Sequence, residues 1–379
     1  MKTVRVLHLL HSMDRGGAET MLMNYYRNLD RELVQFDFLL TKEGSSDYEE
    51  EIKSLGGRIF HITPFGITTM RTYCRELEQF FKTHPEYEIV HSHTSSKSVF
   101  PLKVAKKCGI PVRISHSHNM FLTGGSFSPK EWMRKILRGP LKKVSTHQFA
   151  CSKDAAIWLY GQQYWQEGKV KIMTNAICVD QFAYAPAVRD AYRQKFGLSD
   201  QLVIGHVGQF RKQKNHEFLL RIFAEISKKR EDARLVLVGD GEERTHLEQE
   251  MRQLGIEDKV ILTGVREDVS SLMQMMDVFV FPSHFEGLGI VLVEAQASGL
   301  PCVASKTVIP QEVKVTDLLQ FVSLQESPAV WAEETLKLAA QKNRTNTTKQ
   351  IKAAGYEISQ AAKEMQEFYL TCKEGMETV

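Results

Sequence analysis

Short apolar runs recur along the chain, and segments with helical spacing separate most of them. The first run, residues 4–11, leads into Ser12-Met13-Asp14-Arg15-Gly16-Gly17-Ala18-Glu19, and helical spacing then continues to residue 29. Further strands are predicted at 36–40, 58–62, 89–91, 112–115, 148–151 and 169–174, with helices at 48–55, 71–82 and 98–108. Residues 179–193 carry little apolar periodicity and contain Pro186, which predicts a boundary. A second alternating series follows, with strands at 202–207, 234–238, 260–263 and 278–281 and helices at 217–229, 243–254 and 269–275. Residues 328–340 and 353–371 read as helices around the polar, turn-like stretch 341–349. Strands alternating with helices predict parallel, doubly wound sheets, here in two successive Rossmann-like domains.

Composition bounds this picture without changing it. The chain has 379 residues, 42% hydrophobic and 25% charged, which suits a two-domain globular protein. Net charge is only +3, but residues 1–180 hold 25 Lys and Arg against 18 Asp and Glu, and the remainder is net acidic. A basic front half predicts an anionic surface or substrate there, set against the plainer reading of scattered solvated lysines. Residues 128–144 pattern as a basic amphipathic helix, suited to an anionic membrane surface or to packing on the core. Six widely spaced cysteines with no C-x-x-C predict a reducing, cytoplasmic setting without disulfides. No apolar run reaches membrane-spanning length, so any membrane contact is expected to be peripheral, at the inner face of the cell membrane. The basic residues lack interleaved aromatics, which argues against nucleic acid as a partner.

Candidate chemistry lies at the ends of the predicted strands, where doubly wound sheets bind ligands. Gly16 and Gly17 let backbone approach an anion at a helix start. His91-Ser92-His93 and His116-Ser117-His118 end two strands of the first series; they fit structural histidines, a reaction site or zinc ligands, though nothing nearby fixes a metal geometry. Gly208-Gln209-Phe210-Arg211-Lys212-Gln213-Lys214-Asn215 follows a strand and offers several cations for a phosphate. Gly239-Asp240-Gly241 repeats the strand–glycine–helix design. In 278–303, an apolar run ends in a turn bearing Glu286, Gly287, Leu288 and Gly289, and a helix then carries Glu294 about two turns on. No G-x-G-x-x-G and no D-x-D occurs, which removes the dinucleotide fingerprint and the usual acidic clamp for a metal on a sugar diphosphate.

Together these motifs resemble the large GT4 family of retaining glycosyltransferases with the GT-B fold, and among them bacterial capsule and exopolysaccharide enzymes. The resemblance covers nearly the whole chain. Its main signature is Glu286-Gly-Leu-Gly-Ile-Val-Leu-Val-Glu294, supported by Gly16-Gly17-Ala18-Glu19, His91-Ser-His93, His116-Ser-His118-Asn119, Gly208 through Asn215, Gly239-Asp240-Gly241 and Thr263-Gly264-Val265-Arg266. It implies two domains whose parallel sheets face across a cleft: 1–177 for the acceptor, a linker at 178–197, 198–352 for the nucleotide-sugar donor, and a helix at 353–379 that returns to the first domain.

The implied roles follow position by position. Glu294 binds the ribose, and Glu286 contacts the donor sugar. Gly287, Leu288 and Gly289 hold the distal phosphate and sugar; Gly16, Gly17, Gly208, Gln209 and Gly239 line the donor. Lys214 and Arg211 neutralise the leaving diphosphate without a metal. Val265 and Arg266 border the base. His116 or His118 faces the reacting sugar, and His93 and Asn119 lie on the acceptor side.

Three positions depart from the family pattern: Gln209 where an Arg is usual, Ala176 in Asn175-Ala176-Ile177, and Leu288 where an aromatic residue is common. The implied reaction moves a sugar from a nucleoside diphosphate sugar, a UDP-sugar by preference, to a glycan or lipid-diphosphate-linked acceptor, with no cofactor. Front-face attack needs no protein nucleophile; Glu286 is the nucleophile if a covalent intermediate forms. A sugar-nucleotide isomerase or epimerase on the same fold is the alternative, and a non-catalytic sugar-nucleotide-binding subunit is another, prompted by Gln209.

Overall fold

The protein was analysed as a computed structural model, which describes residues 3–118, 129–341 and 344–377. The chain forms two compact units. Unit 1 comprises Met1–Ile177 and Glu357–Val379, and unit 2 comprises Cys178–Tyr356.

Unit 1 is built on seven parallel strands: β1 (Val4–Leu10), β2 (Val34–Leu40), β3 (Ile59–His61), β4 (Ile89–Ser92), β5 (Val112–Ser117), β6 (His147–Ala150) and β7 (Val170–Ile172). Their order is β3-β2-β1-β4-β5-β6-β7. Sequence order reverses between β1 and β4, the place where such sheets open a ligand site. The central strands are buried on both faces, so their side chains form near-continuous apolar runs. One polar exception is structural. Asp37 is fully buried, yet it accepts hydrogen bonds from the Arg5 guanidinium, the Tyr87 hydroxyl at 2.8 Å and the Arg58 amide at 2.7 Å. Such a charge survives burial because every lone pair is used.

The last helix, Ile358–Glu377, belongs to this unit. It buries Ile358, Ala362, Met365 and Tyr369 in the unit 1 core, alongside Met21, Leu22 and Tyr25 of the helix Gly17–Asn28. The Ile358 amide donates to the Ile177 carbonyl at 2.9 Å, so the chain leaves and re-enters unit 1 at adjacent points. The helix expected at 353–371 runs from Ile358 to Glu377 in unit 1, and a short helix, Thr348–Ala353, precedes it in unit 2. Gly355 separates them, with φ +84 that glycine adopts without strain.

Unit 2 has six parallel strands: β8 (Val203–Val207), β9 (Arg234–Val238), β10 (Val260–Gly264), β11 (Val278–Phe281), β12 (Cys302–Ser305) and β13 (Leu319–Val322), in the order β10-β9-β8-β11-β12-β13. The reversal recurs between β8 and β11. Strands β12 and β13 are absent from the strands read in the sequence; Ser305 ends the first and Gln320 interrupts the second, so neither is a four-residue apolar block like β11.

Where a linker is expected at 178–197, the structure has the helices Val179–Phe182 and Pro186–Lys195. Pro186 starts the second helix rather than breaking it, because its missing N–H is not needed in a first turn. Arg189 and Arg193 of that helix pair with Asp277 at 2.5 and 3.3 Å, which ties it to unit 2. All six cysteines are free, and among the described residues no helix is long and apolar enough to cross a membrane.

Candidate active site

In unit 2, two loops meet at the carboxyl edge of the sheet. The first runs from Gly208 at the end of β8 to Asn215, and the second follows β11 from Pro282 to Gly289. Three hydrogen bonds join them. The Asn215 side-chain amide donates to the Pro282 carbonyl at 3.0 Å, that of Gln213 to the Phe285 carbonyl at 2.9 Å, and the His284 amide to the Gln213 carbonyl at 2.8 Å. Asn215 is left-handed, φ 56, a conformation that Asn tolerates better than most residues. It directs the chain from the loop into the helix His216–Lys229.

The join brings Lys214 and Glu286 together. Lys214 Nζ lies 2.7 Å from Glu286 Oε1 and 4.8 Å from the centre of the Phe281 ring. Glu286 is buried, and Lys214 lies across Gly208, whose missing side chain leaves room for the lysine stem. The pair is thus held from three sides: a carboxylate, an aromatic face and a bare stretch of backbone.

Beyond Glu286 the chain turns through Gly289, φ +82, into the helix Ile290–Ala297. The first turn of that helix contains no acidic side chain, and the Glu286 stem packs on Gly289 just ahead of it. Glu294 is half-buried in the apolar body of the helix, and burial pushes its carboxyl up to about 7. Leu288 is buried and Gly287 lies beside it.

Gly239 and Gly241 also meet a packing need. A methyl group on Gly239, whose φ is +137, would collide with the Gly208 carbonyl oxygen. One on Gly241 would stand 2.6 Å from the Phe210 carbonyl oxygen. The Gly208 amide donates to the Val238 carbonyl and the Phe210 amide to the Asp240 carbonyl, both at 2.9 Å. These glycines let two loop backbones touch, and so hold the Gly208–Lys214 loop in place.

Arg211 is exposed and lines a cavity of about 490 Å³ with Lys212, Asn215, His216, His246 and His284. Lys214 and Glu286 are not among the residues lining it. Gln209 is half-buried between Gly208 and Phe210. Val265 is 60% exposed, and Arg266 pairs with Asp268 at 2.6 Å, which holds the Asp268 carboxyl down at about 2.

In unit 1, Gly16 stands at the start of the helix Gly17–Asn28, and the Glu19 carboxylate folds against it; Gly17 is open on its side-chain face. The histidines form a larger group than the sequence suggests. His8 of β1 is paired in register with His91 of β4, and His116 is the residue before the last of β5. Two hydrogen-bonded strings result. His8 Nδ1 meets His93 Nε2 at 2.9 Å, and His93 Nδ1 meets His118 Nε2 at 2.7 Å. His116 Nδ1 meets His91 Nε2 at 3.2 Å, and His91 Nδ1 meets the Tyr369 hydroxyl at 2.9 Å.

The strings lie against each other, with the rings of His116 and His118 3.9 Å apart and those of His91 and His93 4.3 Å apart. Burial pushes His8 and His118 down to about 3, and burial with mutual repulsion holds His91, His93 and His116 well below the ordinary histidine range. All five rings are neutral at physiological pH. His8 and Tyr369 escape sequence reasoning, since one sits inside an apolar strand and the other in the distant last helix. Asn119 lies outside the described residues.

Comparison with known proteins gives the family and the fold. The family model for Glycosyltransferase Family 4 matches residues 15–181, and that for Glycosyl transferases group 1 matches residues 188–357. EpsF of Bacillus subtilis (strain 168), named as a glycosyltransferase, is 39% identical over 338 residues, covering 89% of this chain and 88% of its own. An Escherichia coli UDP-Gal:alpha-D-GlcNAc-diphosphoundecaprenol alpha-1,3-galactosyltransferase is 26% identical over 58% of each chain. The crystal structure of Anabaena Alr3699/HepE in complex with UDP and glucose superposes with a TM-score of 0.77 at 20% identity, covering 96% of this chain and 98% of that one. With both units matched and the EpsF likeness running through nearly the whole length, the chain belongs to the GT4-like glycosyltransferases, and its two parallel-sheet units are those of the GT-B fold.

Proposed function

We propose that this glycosyltransferase moves a sugar from a UDP-sugar to a glycan or lipid-diphosphate-linked acceptor in polysaccharide biosynthesis, with retention of anomeric configuration. The observation that carries the reading is the Lys214–Glu286 pair at 2.7 Å, set beside the start of the helix Ile290–Ala297, whose first turn has no acidic side chain. UDP and glucose bound to the HepE structure, and the UDP-Gal donor and diphosphoundecaprenol acceptor in the Escherichia coli relative's name, support the choice of donor and acceptor.

Each residue then has a task. The acceptor oxygen forms the new bond to the anomeric carbon while the bond from that carbon to the phosphate oxygen breaks. The acceptor's proton passes to the departing diphosphate. Lys214, the loop cation Arg211 and the amides of Gly287, Leu288 and Gly289 meet the charge that grows there, as preformed donors do for any developing anion. These groups do so without a metal. Glu286 holds Lys214 in position and accepts from donor-sugar hydroxyls, and Glu294 accepts from the ribose. Gly16, Gly17, Gly208, Gln209 and Gly239 shape the backbone around the donor, with Val265 and Arg266 near the base. In unit 1, His116 or His118 faces the sugar and His93 the acceptor.

The helix Pro129–Val144 offers the surface for a lipid-linked acceptor. Trp132 is 70% and Ile136 51% exposed, and Lys135 and Lys143 follow on the same face. The enzyme would then work in the cytoplasm, peripherally at the inner face of the membrane.

Calorimetry with UDP tests the donor site. Lys214→Ala and Glu294→Ala are each expected to weaken binding at least about tenfold, the effect of losing one charge-assisted hydrogen bond. Unchanged affinity in both variants would remove the assignment. The anomeric configuration of the product, read by NMR, decides the stereochemistry, and inversion would refute retention.

A further inference from the structure

We propose that unit 1 binds a divalent transition-metal ion, zinc by the chemistry of its ligands, through His93, His116 and His118. One ring nitrogen from each lies within 4.8 Å of the other two. The rings stand at the ends of β4 and β5, which pair in parallel register, so the sheet itself sets their spacing. Imidazole nitrogen suits zinc, copper and nickel. It binds as the neutral base, and the proton now shared between His93 Nδ1 and His118 Nε2 moves to the far nitrogen of its ring when the ion enters.

The hydrogen bonds supply a second, independent reason. A neutral imidazole has one donor and one acceptor, so every string of such rings ends in one spare donor and one spare acceptor. Here the spare nitrogens include His116 Nε2 and His118 Nδ1, both buried and without a partner among the described residues. His116 is itself completely buried, and a buried orphan of this kind is destabilising. An ion bound at His116 Nε2 relieves it there. The rings behind them also fit. His91 backs His116, Tyr369 backs His91, and His8 backs His93. Metal-bound histidines are commonly fixed in this way, through the nitrogen that does not bind the metal.

Proton relay does not explain the strings as well. The far end, His8 Nε2, is a buried orphan, and the His8 ring packs on Phe36 and Phe38. A proton sent along the string has no outlet there. Binding does require adjustment. His93 Nδ1 and His118 Nε2 share a hydrogen bond at 2.7 Å, whereas two nitrogens on a tetrahedral zinc at ~2.0–2.1 Å stand about 3.3 Å apart. A small ring rotation provides the difference.

A second histidine–carboxylate group, Glu217, His246 and Glu250 in unit 2, serves as a control. Arg221 already pairs with both of its carboxylates.

The site does not rest on the transfer reading; with the ion bound, His93, His116 and His118 hold it instead of facing sugar or acceptor, and the test separates the two readings. The purified chain is stripped with a chelator, then titrated with ZnCl2 by calorimetry and with Co2+ by visible absorption. One ion per chain is expected, with the visible bands of cobalt on nitrogen ligands. His116→Ala and His118→Ala should each lower zinc affinity more than about a hundredfold, beyond the usual cost of losing an outer-shell partner. Tyr369→Phe should lower it by about tenfold, and His246→Ala should leave it unchanged. The cobalt spectrum of the unaltered chain keeps the test decisive even where a variant fails to fold. Absence of zinc binding, absence of the cobalt bands, or loss of binding only in His246→Ala overturns the proposal. UDP is titrated into the same sample: a chain that binds UDP but not zinc refutes the metal site alone, and one that binds zinc but not UDP refutes the donor reading alone.

Discussion

Glu294 shows how one carboxyl couples stability to binding. Its folded-state pKa is about 7 against an ordinary 4.5, because burial disfavours the charge. The folded chain therefore holds that proton between pH 4.5 and 7 while the unfolded chain releases it. Stability falls as pH rises through that window and is level above it, a loss on the order of 3 kcal/mol at ~1.4 kcal/mol per pH unit. Glu294→Gln removes the charge but keeps the shape. Its melting temperature should exceed the parent's at pH 8 and converge with it near pH 4.5, while UDP affinity at pH 8 drops. Equal melting at pH 8 would mean that burial does not set this pKa. The spacing of Glu286 and Glu294 made both visible in the sequence. What the sequence hid was Lys214 against Glu286, a pair 72 positions apart that only the joining of two loops creates. His8 stayed hidden for a different reason: within β1 it is one buried position in an apolar run.

At the scale of elements, the loop that carries Lys214 owes its path to its neighbour. Gly239 combines a left-handed φ with contact against the Gly208 carbonyl, so Gly239→Ala meets both strain and collision. A loss of about 2–4 kcal/mol is expected, together with weaker UDP binding as the Gly208–Lys214 loop shifts. Gly255, φ +64, has nothing within 4 Å of its side-chain face, so Gly255→Ala should cost only about 1 kcal/mol and leave UDP binding intact. Denaturant melts and calorimetry on the two variants make the comparison, and equal costs would refute the crowding argument. Most strands were legible because a two-sided buried strand is a short apolar block. The helix Pro186–Lys195 was not, since proline reads as a breaker unless the first turn is already located. Asn215 likewise gives no sequence sign that it will turn left-handed.

For the whole molecule, uneven charge is the property most open to test. The excess of Lys and Arg in residues 1–180 coincides with the exposed Trp132 and Ile136 of the helix Pro129–Val144. Co-sedimentation with anionic vesicles is expected at low ionic strength and should fall as salt shortens the screening length below ~10 Å. Trp132→Ala with Lys135→Glu should abolish it. Sedimentation that ignores both salt and these changes would place the contact elsewhere. The return of the helix Ile358–Glu377 to unit 1 has a further consequence, one for synthesis. Unit 2 is continuous in sequence and leaves the ribosome entire, whereas unit 1 still lacks its last core helix at that moment. Domains tend to fold in the order they are made, but here the half translated first is finished last. Until Tyr369 emerges, His91 has no hydroxyl to meet, and the histidine strings wait on a helix made after unit 2.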